Sequence, residues 1–345
     1  MPIEKFTISR DDSIYEAWPD VTLTVQGKLI CVFSECTHHN DRSYTRIVYK
    51  ESSDRGRTWG PKIPLTEGTN GRPNWNCPRI SRLSDNRLVI VADKIFGERE
   101  SKGKNYMWLG DPEGTEWQGP IETPVTGIVP DKLCELPGGR WLMSAHDRSP
   151  VHGYGEQLLW YSDDQGRSWT GPVTVASEAG LNLVETSILP LPDGTLVAFL
   201  RENSGEGWDC YKAISHDRGE SWEGPYRVPL PGCHRPVSGM LQSGRILITY
   251  RFHQGGKGWL GAWTQNLFAA LTDIGSAVAK ERKEQTTRIM PIDFDRSPHS
   301  DLGYSGWVQF EDGEIYVVNY IVDDAPNAQI RGYSFWEDDF LWSSE

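Results

Sequence analysis

The sequence predicts an all-β fold, a six-bladed β-propeller whose blades are four-stranded antiparallel sheets, with residues 1–345 forming one domain. Three observations lead to this prediction: the composition, a hairpin pattern that recurs along the chain, and a polar turn that recurs out of phase with it. The 345 residues include 15 Trp, 35 Gly and 22 Pro, which is typical of turn-rich, aromatic-rich β structure. A large β-sandwich is the alternative fold.

The hairpin pattern occurs six times. Each copy has a short entry, an alternation of apolar and polar residues, a turn, and then a stiff apolar strand. Five of the turns read SDN, PGG, PDG, QSG and EDG, which are sequences that join antiparallel strands. The six copies are residues 18–33, 77–93, 129–146, 185–202, 234–252 and 304–321. Because internal repeats of about this period build propellers, each copy predicts the two inner strands of one blade.

The polar turn occurs in three full copies. SSDRGRTW (52–59), SDDQGRSW (162–169) and SHDRGESW (215–222) share Ser, Asp, Gly and Trp at one spacing, whereas GDPEGTEW (110–117) has Pro112 at the Asp position. Asp can accept hydrogen bonds from nearby backbone N–H groups, and Gly can take the positive φ of a tight turn. We expect each turn to join the outer strands of a blade and its Trp to pack into the sheet, which is a structural role.

Two further segments complete the predicted ring. KFTISR (5–10) is expected to close it as an outer strand beside the last blade. ALTDIGSAVAKERKEQ (270–285) has the composition of a helix and is expected to decorate the fifth blade.

Charge and composition exclude several kinds of partner. A net charge of −13 argues against nucleic acid, and no apolar run approaches the ~18 residues of a membrane span. The N-terminus lacks the pattern of a secretory signal, which predicts a cytoplasmic location unless a signal has been removed. Six cysteines without metal-like spacing are expected to be buried free thiols. No motif predicts a metal or another cofactor, and the oligomeric state is left open.

Titratable residues concentrate at two positions of the hairpins, namely the entry of the first strand and the exit of the second. In a propeller both positions lie on one face around the central axis. The entries are Asp20, Arg79, Asp131, Glu185, Arg235 and Tyr304, and the exits include Glu35, His38, His39, Asp41, Asp93, His146, Asp147, Arg201, Arg251 and His253. An empty hub would not need these groups, so we predict a chemical site at the axis.

The Ser-x-Asp-x-Gly-x-x-Trp turns resemble the Asp-boxes of the sialidase superfamily, and the six hairpins cover nearly the whole chain in the order of that family. The resemblance implies a Tyr nucleophile, a Glu that takes its proton, and an Asp acid/base. A phenol needs the carboxylate because its ordinary pKa is ~10. YSGW (304–307) resembles the nucleophile motif, which assigns Tyr304 as nucleophile. The same resemblance assigns Glu185 as base and Asp41 as acid/base.

Sialidases hold a substrate carboxylate with three arginines, and the resemblance carries over only Arg201. Ala17 stands where the first arginine is expected, and residues 261–271, where the third is expected, contain none. We therefore predict an anion clamp rebuilt from other arginines, or a substrate without that carboxylate. The residues predicted to bind substrate are Arg201, Arg235, Arg79, Arg251, His38, His39, Asp20 and His146.

The sequence thus predicts a sialidase-like exo-glycosidase that hydrolyses the terminal, acidic sugar of a glycan or oligosaccharide. One alternative is an orthodox sialidase with differently placed arginines. Others are a glycosidase or lyase for uronate- or rhamnose-containing polysaccharide with His38, His39 or His146 as base, and a carbohydrate-binding propeller without turnover. His38, His39 and Asp20 remain alternatives to Asp41 for proton transfer, and Arg235 is an alternative brace for a blade entry.

Overall fold

Six antiparallel β-sheets surround a common axis in the computed structural model, which describes residues 3–97, 103–206, 208–254 and 264–340. Each sheet is one blade, and the innermost strands of blades two, one, six, five and four contact one another in that order around the axis. The predicted six-bladed β-propeller is therefore confirmed. Two blades carry an additional two-residue strand beside the four expected ones.

The strands follow the chain in blade order. After β1 (Glu4–Ser9), blade one contains β2 (Tyr15–Leu23), β3 (Leu29–His38), β4 (Asp41–Ser52), β5 (Ile63–Pro64) and β6 (Thr69–Asn70). Blade two contains β7 (Asn74–Trp75), β8 (Arg79–Arg82), β9 (Leu88–Ile95), β10 (Gly103–Gly110) and β11 (Trp117–Thr126). Blade three contains β12 (Cys134–Glu135), β13 (Trp141–Arg148), β14 (Gly155–Ser162) and β15 (Thr170–Ala176).

The second half of the ring is built in the same way. Blade four contains β16 (Leu183–Pro190), β17 (Leu196–Glu202), β18 (Asp209–Ser215) and β19 (Glu223–Pro231). Blade five contains β20 (Cys233–Met240), β21 (Ile246–Gln254), β22 (Thr264–Thr272) and β23 (Arg288–Phe294). Blade six contains β24 (Leu302–Gln309), β25 (Ile315–Ile321) and β26 (Gln329–Phe335), and a 3₁₀ helix spans Glu337–Phe340.

The N-terminal strand closes the ring. β1 pairs antiparallel with β26, so the fourth strand of blade six comes from the opposite end of the chain. The prediction for residues 5–10 is confirmed. Blade six consequently needs both ends of the sequence.

The helix predicted after β22 is present but short. It is α1 (Ile274–Val278), followed by a 3₁₀ turn over Arg282–Glu284. Asp273 caps α1 by accepting from Ser276 N at 2.7 Å, and Lys212 of blade four donates to the Ser276 carbonyl at 2.8 Å. The helix thus spans the outer side of blades four and five. No helix in the described ranges has both the length and the apolar character needed to cross a membrane.

The recurring turns join the third and fourth strands of blades one, three and four, as predicted. Asp54 accepts from the Thr58 N–H at 2.9 Å, and the Trp59 indole donates to the Gly56 carbonyl at 3.1 Å. A Cβ at Gly56 would overlap the Tyr316 ring of blade six, so glycine is required by close packing as well as by its φ of 82°. The turn therefore joins neighbouring blades.

The fourth, irregular turn has the same structure with a different residue. Asp111, one position before Pro112, accepts from the Thr115 N–H at 2.6 Å and from its hydroxyl at 2.7 Å. The Trp117 indole donates to the Gly114 carbonyl at 3.1 Å, as in the other copies. A shift of the acid by one residue preserves the turn.

Bulges in the inner strands direct side chains to the axis. The register shifts inside β2, β16, β20 and β24. A non-glycine residue with positive φ lies at the entry of five blades: Trp18 (56°), Val129 (51°), Glu185 (51°), Arg235 (50°) and Tyr304 (50°). This conformation costs about 1–3 kcal/mol for a residue with a Cβ, so the surrounding structure must impose it.

Two buried arginines, which we name the axial arginines, bind the backbone at these entries. Arg79 donates to the carbonyls of Pro19 at 3.1 Å and Ser305 at 3.2 Å, joining blades one, two and six. Arg235 donates to Thr186 O at 2.6 Å and Pro130 O at 3.1 Å, joining blades three, four and five. Their relative exposures are 1% and 0%. They satisfy carbonyl groups that no strand partner reaches.

Two buried aspartates complete the contacts between entries. Asp20 accepts from Ile80 N at 3.0 Å, and Asp131 accepts from Ile188 N at 2.8 Å, in each case across a blade boundary. The hub is therefore a polar, hydrogen-bonded structure and not an apolar core.

Gly306 gives a test of ring closure, because its position contacts Asp20 of blade one. A Cβ at Gly306 would overlap Asp20 Oδ1 and lie 2.9 Å from Asp20 Cα. We expect Gly306→Ala to lower the free energy of unfolding by about 1–3 kcal/mol, as overpacking does. Urea denaturation measures the change. Gly60→Ala is the matched control, since its Cβ would meet only Glu51 O at 3.6 Å, and a loss there as large as at Gly306 would contradict the explanation.

Candidate active site

A tyrosine of blade six and a glutamate of blade four meet at the axis. The Tyr304 hydroxyl, from β24, donates to Glu185 Oε1, from β16, at 2.5 Å. Both residues sit on the bulged entries of their strands, with positive φ, and their exposures are 7% and 5%. The sequence predicted that these two residues act together, and the structure brings them into contact. We call Tyr304, Glu185, Arg201 and Arg251 the axial site.

Arg201 fixes the ionisation of the glutamate. Its Nη1 donates to both Glu185 oxygens, at 2.9 and 2.8 Å, and its Nη2 donates to Asn203 Oδ1 at 2.6 Å. Burial alone would raise the pKa of Glu185, but the charges of Arg201 and Arg251 and the hydrogen bonds from Arg201 lower it to about 2. Glu185 is therefore ionised at neutral pH and able to accept the Tyr304 proton.

Three guanidinium groups surround the Tyr304 ring. The Cζ atoms of Arg251, Arg79 and Arg235 lie 5.6, 5.9 and 6.0 Å from the ring centroid. Burial and the charge of Glu185 raise the pKa of Tyr304 well above its ordinary value, so the resting group is the neutral phenol. When the proton leaves, the surrounding positive charges stabilise the negative oxygen.

Arg251 joins the axial site from blade five. Its Nη1 donates to Gln265 Oε1 and to the Leu302 carbonyl, both at 3.2 Å, and lies 3.8 Å from Asp301 Oδ1. Burial alone would lower its pKa, but the neighbouring tyrosines, Asp301 and Glu185 raise it. Arg251 is therefore a permanent cation beside the tyrosine.

Arg42, the second residue of β4, was not among the site residues predicted from the sequence. Its Cζ lies 3.9 Å from the Trp18 ring centroid, and the Trp18 and Tyr304 centroids are 6.5 Å apart. Its Nε donates to the His39 carbonyl at 3.0 Å, while its Nη1 is buried without a hydrogen-bond partner among the described residues. Arg42 thus adds a further cation near the axial site.

The predicted acid/base Asp41 lies at the exposed start of β4. It accepts from the Ser43 N–H at 2.8 Å, and this hydrogen bond lowers its pKa. Side chains alternate along a strand, so Asp41 and the inward Arg42 point to opposite sides. His38, paired with Asp41 across the hairpin, packs its ring 5.1 Å from that of Tyr15. The acid/base role of Asp41 stays a prediction.

Asp301, which was also not predicted from the sequence, binds side chains of blades one and six. Its carboxylate accepts from His39 Nδ1, from the Tyr15 hydroxyl and, at 2.8 Å, from the Tyr320 hydroxyl. The residue lies three positions before Tyr304, in the connection that precedes β24. The nearest signal in the sequence is this proximity to the YSGW motif.

Polar groups of blades two and three lie on another side of the axis. Burial and the charges of Arg201 and Arg235 lower the pKa of His146 to about 4, against the opposing effect of Glu185, so its ring is neutral. Its Nδ1 is buried without a partner in the described part of the chain. Burial raises the pKa of Asp93 to about 6. Within the described residues, no group of three or more His, Cys, Asp or Glu side chains is arranged to hold a metal ion.

Three residues predicted to bind substrate support the site from beneath. Arg79, Arg235 and Asp20 are buried and bind the backbone of neighbouring blades. This position fits the bracing role that was the alternative for Arg235, and substrate binding by the three residues stays a prediction. The altered arginine triad stays a prediction, since residues 261–263 of the segment 261–271 lie outside the described residues.

Comparison with known proteins agrees with this architecture. Residues 27–317 match the BNR repeat-like domain family. The chain therefore belongs to that family. An anhydrosialidase of Macrobdella decora is 29% identical over 162 residues, which cover 43% of this chain and 19% of that protein. The chain thus matches about a fifth of this relative.

Two solved structures show the same fold. A protein of unknown function from Dyadobacter fermentans DSM 18053 superposes with a TM-score of 0.77 at 21% identity, covering 96% of this chain and 98% of that one. A Hadza microbial sialidase superposes with a TM-score of 0.73 at 15% identity, covering 97% and 69%. At these identities the likeness establishes the fold.

Arg201 gives a test of the site's electrostatics. Arg201→Met leaves a buried carboxylate unpaired, and we expect the free energy of unfolding at pH 7 to fall by about 3–5 kcal/mol. In the wild type the ionised Glu185 contributes its full share of the folding stability above about pH 4.5, the ordinary pKa of the group. That stability is lost as the pH falls towards 2, the lowered pKa in the folded protein. In the variant, burial without a partner raises the pKa of Glu185, so the carboxyl takes up a proton on folding. The loss of stability relative to the wild type is therefore smaller at pH 5 than at pH 7.

Urea denaturation at the two pH values measures this deficit. The matched control is Arg201→Met combined with Glu185→Gln, which buries no charge and should lose less stability. A deficit independent of pH in the single variant would show that Glu185 does not depend on Arg201.

Proposed function

We propose that this protein is a sialidase-like exo-glycosidase that hydrolyses a terminal, acidic sugar of a glycan or oligosaccharide. The single observation that carries the proposal is the 2.5 Å hydrogen bond from the buried Tyr304 phenol to an ionised Glu185. A tyrosine needs such a base to become a nucleophile at neutral pH. A binding protein has no need to surround that phenol with guanidinium groups.

The residues divide the reaction between them. Glu185 removes the phenolic proton as the Tyr304 oxygen attacks the anomeric carbon, and an acid protonates the departing oxygen. Water then displaces Tyr304 from the sugar, and the phenol is restored. Arg79, Arg235 and Arg251 stabilise the oxygen while it carries negative charge.

The anionic character of the substrate follows from the charges at the site. Arg201, Arg251 and Arg42 provide cations from three blades, of which only Arg201 is paired directly with Glu185. An arginine–carboxylate contact at 4 Å contributes up to about 4 kcal/mol at an effective dielectric of 20, before desolvation. The names of the two similar proteins called anhydrosialidase and sialidase support a sialic acid as the first sugar to test.

The nucleophile is tested by Tyr304→Phe and by Glu185→Gln. We expect each variant to lose at least about 1,000-fold in kcat/KM, because the reaction loses its covalent route or its base. The measurement is a screen with aryl glycosides of sialic acid, its deaminated and bacterial relatives, glucuronate and rhamnose. Tyr161→Phe is a matched control, since that ring packs 4.2 Å from the Arg140 guanidinium in blade three.

The screen also separates the alternatives. Turnover by Tyr304→Phe at the wild-type rate would reject the mechanism. An unsaturated product that absorbs in the ultraviolet would identify a lyase, and glycan binding without any turnover would identify a binding protein. Thermal unfolding of each variant shows whether the fold is intact.

Arg42 gives a test of substrate charge. We expect Arg42→Met to raise KM for an acidic glycoside by about 10-fold while kcat changes little, because uniform binding is lost. Arg42→Lys should recover part of the affinity, since it keeps the charge but not the planar fork. Steady-state kinetics on acidic and neutral glycosides measure the effect. An equal effect on both substrates would contradict a charge-based role.

A further inference from the structure

We infer that His39, oriented by Asp301, is the acid/base that exchanges a proton with the departing oxygen at the axial site. This inference rests on the proposed glycosidase function. It assigns to a histidine–aspartate pair the role that the sequence predicted for Asp41. The two residues are 262 positions apart and are joined only by the fold.

Asp301 is built to hold an imidazole in one orientation. Its carboxylate accepts from His39 Nδ1, and the hydroxyls of Tyr15 and Tyr320 bind the same carboxylate. Burial alone would raise the pKa of Asp301, but His39, Arg251 and Tyr15 lower it, so the group is an anion. An anion at Nδ1 fixes the tautomer and leaves Nε2 as the nitrogen that gains and loses the proton.

His39 also lies on the side of the hairpin that faces the site. Its ring meets the Trp18 ring edge-on at 5.6 Å, and Trp18 in turn lies 6.5 Å from the Tyr304 ring. The side chain of His39 is 34% exposed, so a substrate above Trp18 is able to reach it. Asp301 directly precedes β24, the strand that carries the nucleophile.

Asp41 meets fewer of the requirements. Its pKa is lowered by the Ser43 N–H, which opposes the protonated state that an acid needs. Strand alternation turns it away from the side occupied by Arg42. The charged and titratable side chains next to the His39 ring are Asp301 and Tyr15. Two arginines lie one contact further away: Arg251 beside Asp301, and Arg42 on the His39 carbonyl.

In the first step Glu185 takes the phenolic proton of Tyr304. As the Tyr304 oxygen forms its bond to the anomeric carbon, the bond from that carbon to the departing oxygen breaks, and the oxygen takes the Nε2 proton. In the second step water transfers a proton to Nε2 while its oxygen bonds to the anomeric carbon and the bond to Tyr304 breaks. The released phenoxide recovers its proton from Glu185, and His39 returns to its starting state.

The experiment compares leaving groups. Substrates are the 4-nitrophenyl and methyl glycosides of the sugar that the screen identifies. The 4-nitrophenoxide ion is stable enough to leave without a proton, whereas the methoxy oxygen must be protonated as it leaves. We expect His39→Gln to lose about 100- to 1,000-fold in kcat/KM on the methyl glycoside and less than about 10-fold on the nitrophenyl glycoside. His216→Gln, in an exposed turn, is the matched control and should resemble the wild type on both.

Asp301→Asn tests the positioning residue. It keeps a hydrogen-bond acceptor but removes the negative charge that stabilises the imidazolium, so the alkaline limb of kcat/KM for the methyl glycoside should move to lower pH. A purely structural role would lower the rate at every pH without moving this limb, and that result would overturn the assignment of Asp301.

The outcomes separate the inference from the proposed function. If Tyr304→Phe is inactive but His39→Gln matches the wild type on the methyl glycoside, the inference fails and the glycosidase assignment stands. If Asp41→Asn shows the leaving-group dependence and His39→Gln does not, Asp41 is the acid and the inference is overturned. If the wild type hydrolyses neither substrate, both proposals fail together.

Discussion

The contacts between two buried guanidinium groups and backbone carbonyls at the hub support the rest of the structure. Arg79 and Arg235 each bridge blades by binding carbonyls at the bulged strand entries. Burial and the charge of Arg235 lower the pKa of Arg79 to about 10, which still leaves it a cation at neutral pH. Without these donors, buried carbonyls would lack partners and the positive φ of Glu185 and Tyr304 would be unsupported.

The same two cations connect architecture with chemistry. They lie beneath the Tyr304 ring, so groups that hold the backbone also set the potential at the phenol. Glu185 carries the negative charge at the site, and the hydrogen bond from Arg201 stabilises that charge. Arg79 and Arg235 thus serve both the backbone at the strand entries and the potential at the phenol, whereas the Arg201–Glu185 pair lies within blade four.

Sequence alone predicted much of this protein, and the limits have physical causes. The repeats indicated the blades, and the YSGW motif led to Tyr304, because both are local patterns. Arg42 was missed because neighbouring side chains of a strand point to opposite faces. The residue predicted from the sequence, Asp41, points to the outer face, and Arg42 points inward. Asp301 was missed because its partners are distant in the chain. The burial of Arg79 and Arg235 depends on bulges that no composition or spacing reveals.

The pairing of β1 with β26 has a consequence for biosynthesis. The ribosome releases the first strand of the chain long before it releases the three strands with which β1 forms blade six. During elongation Glu185 and Arg201 can already occupy blade four, whereas the phenol opposite them arrives on the last blade to emerge. A nascent chain therefore releases Glu185 and Arg201 before Tyr304, and the contact between the phenol and Glu185 forms only after blade six has emerged.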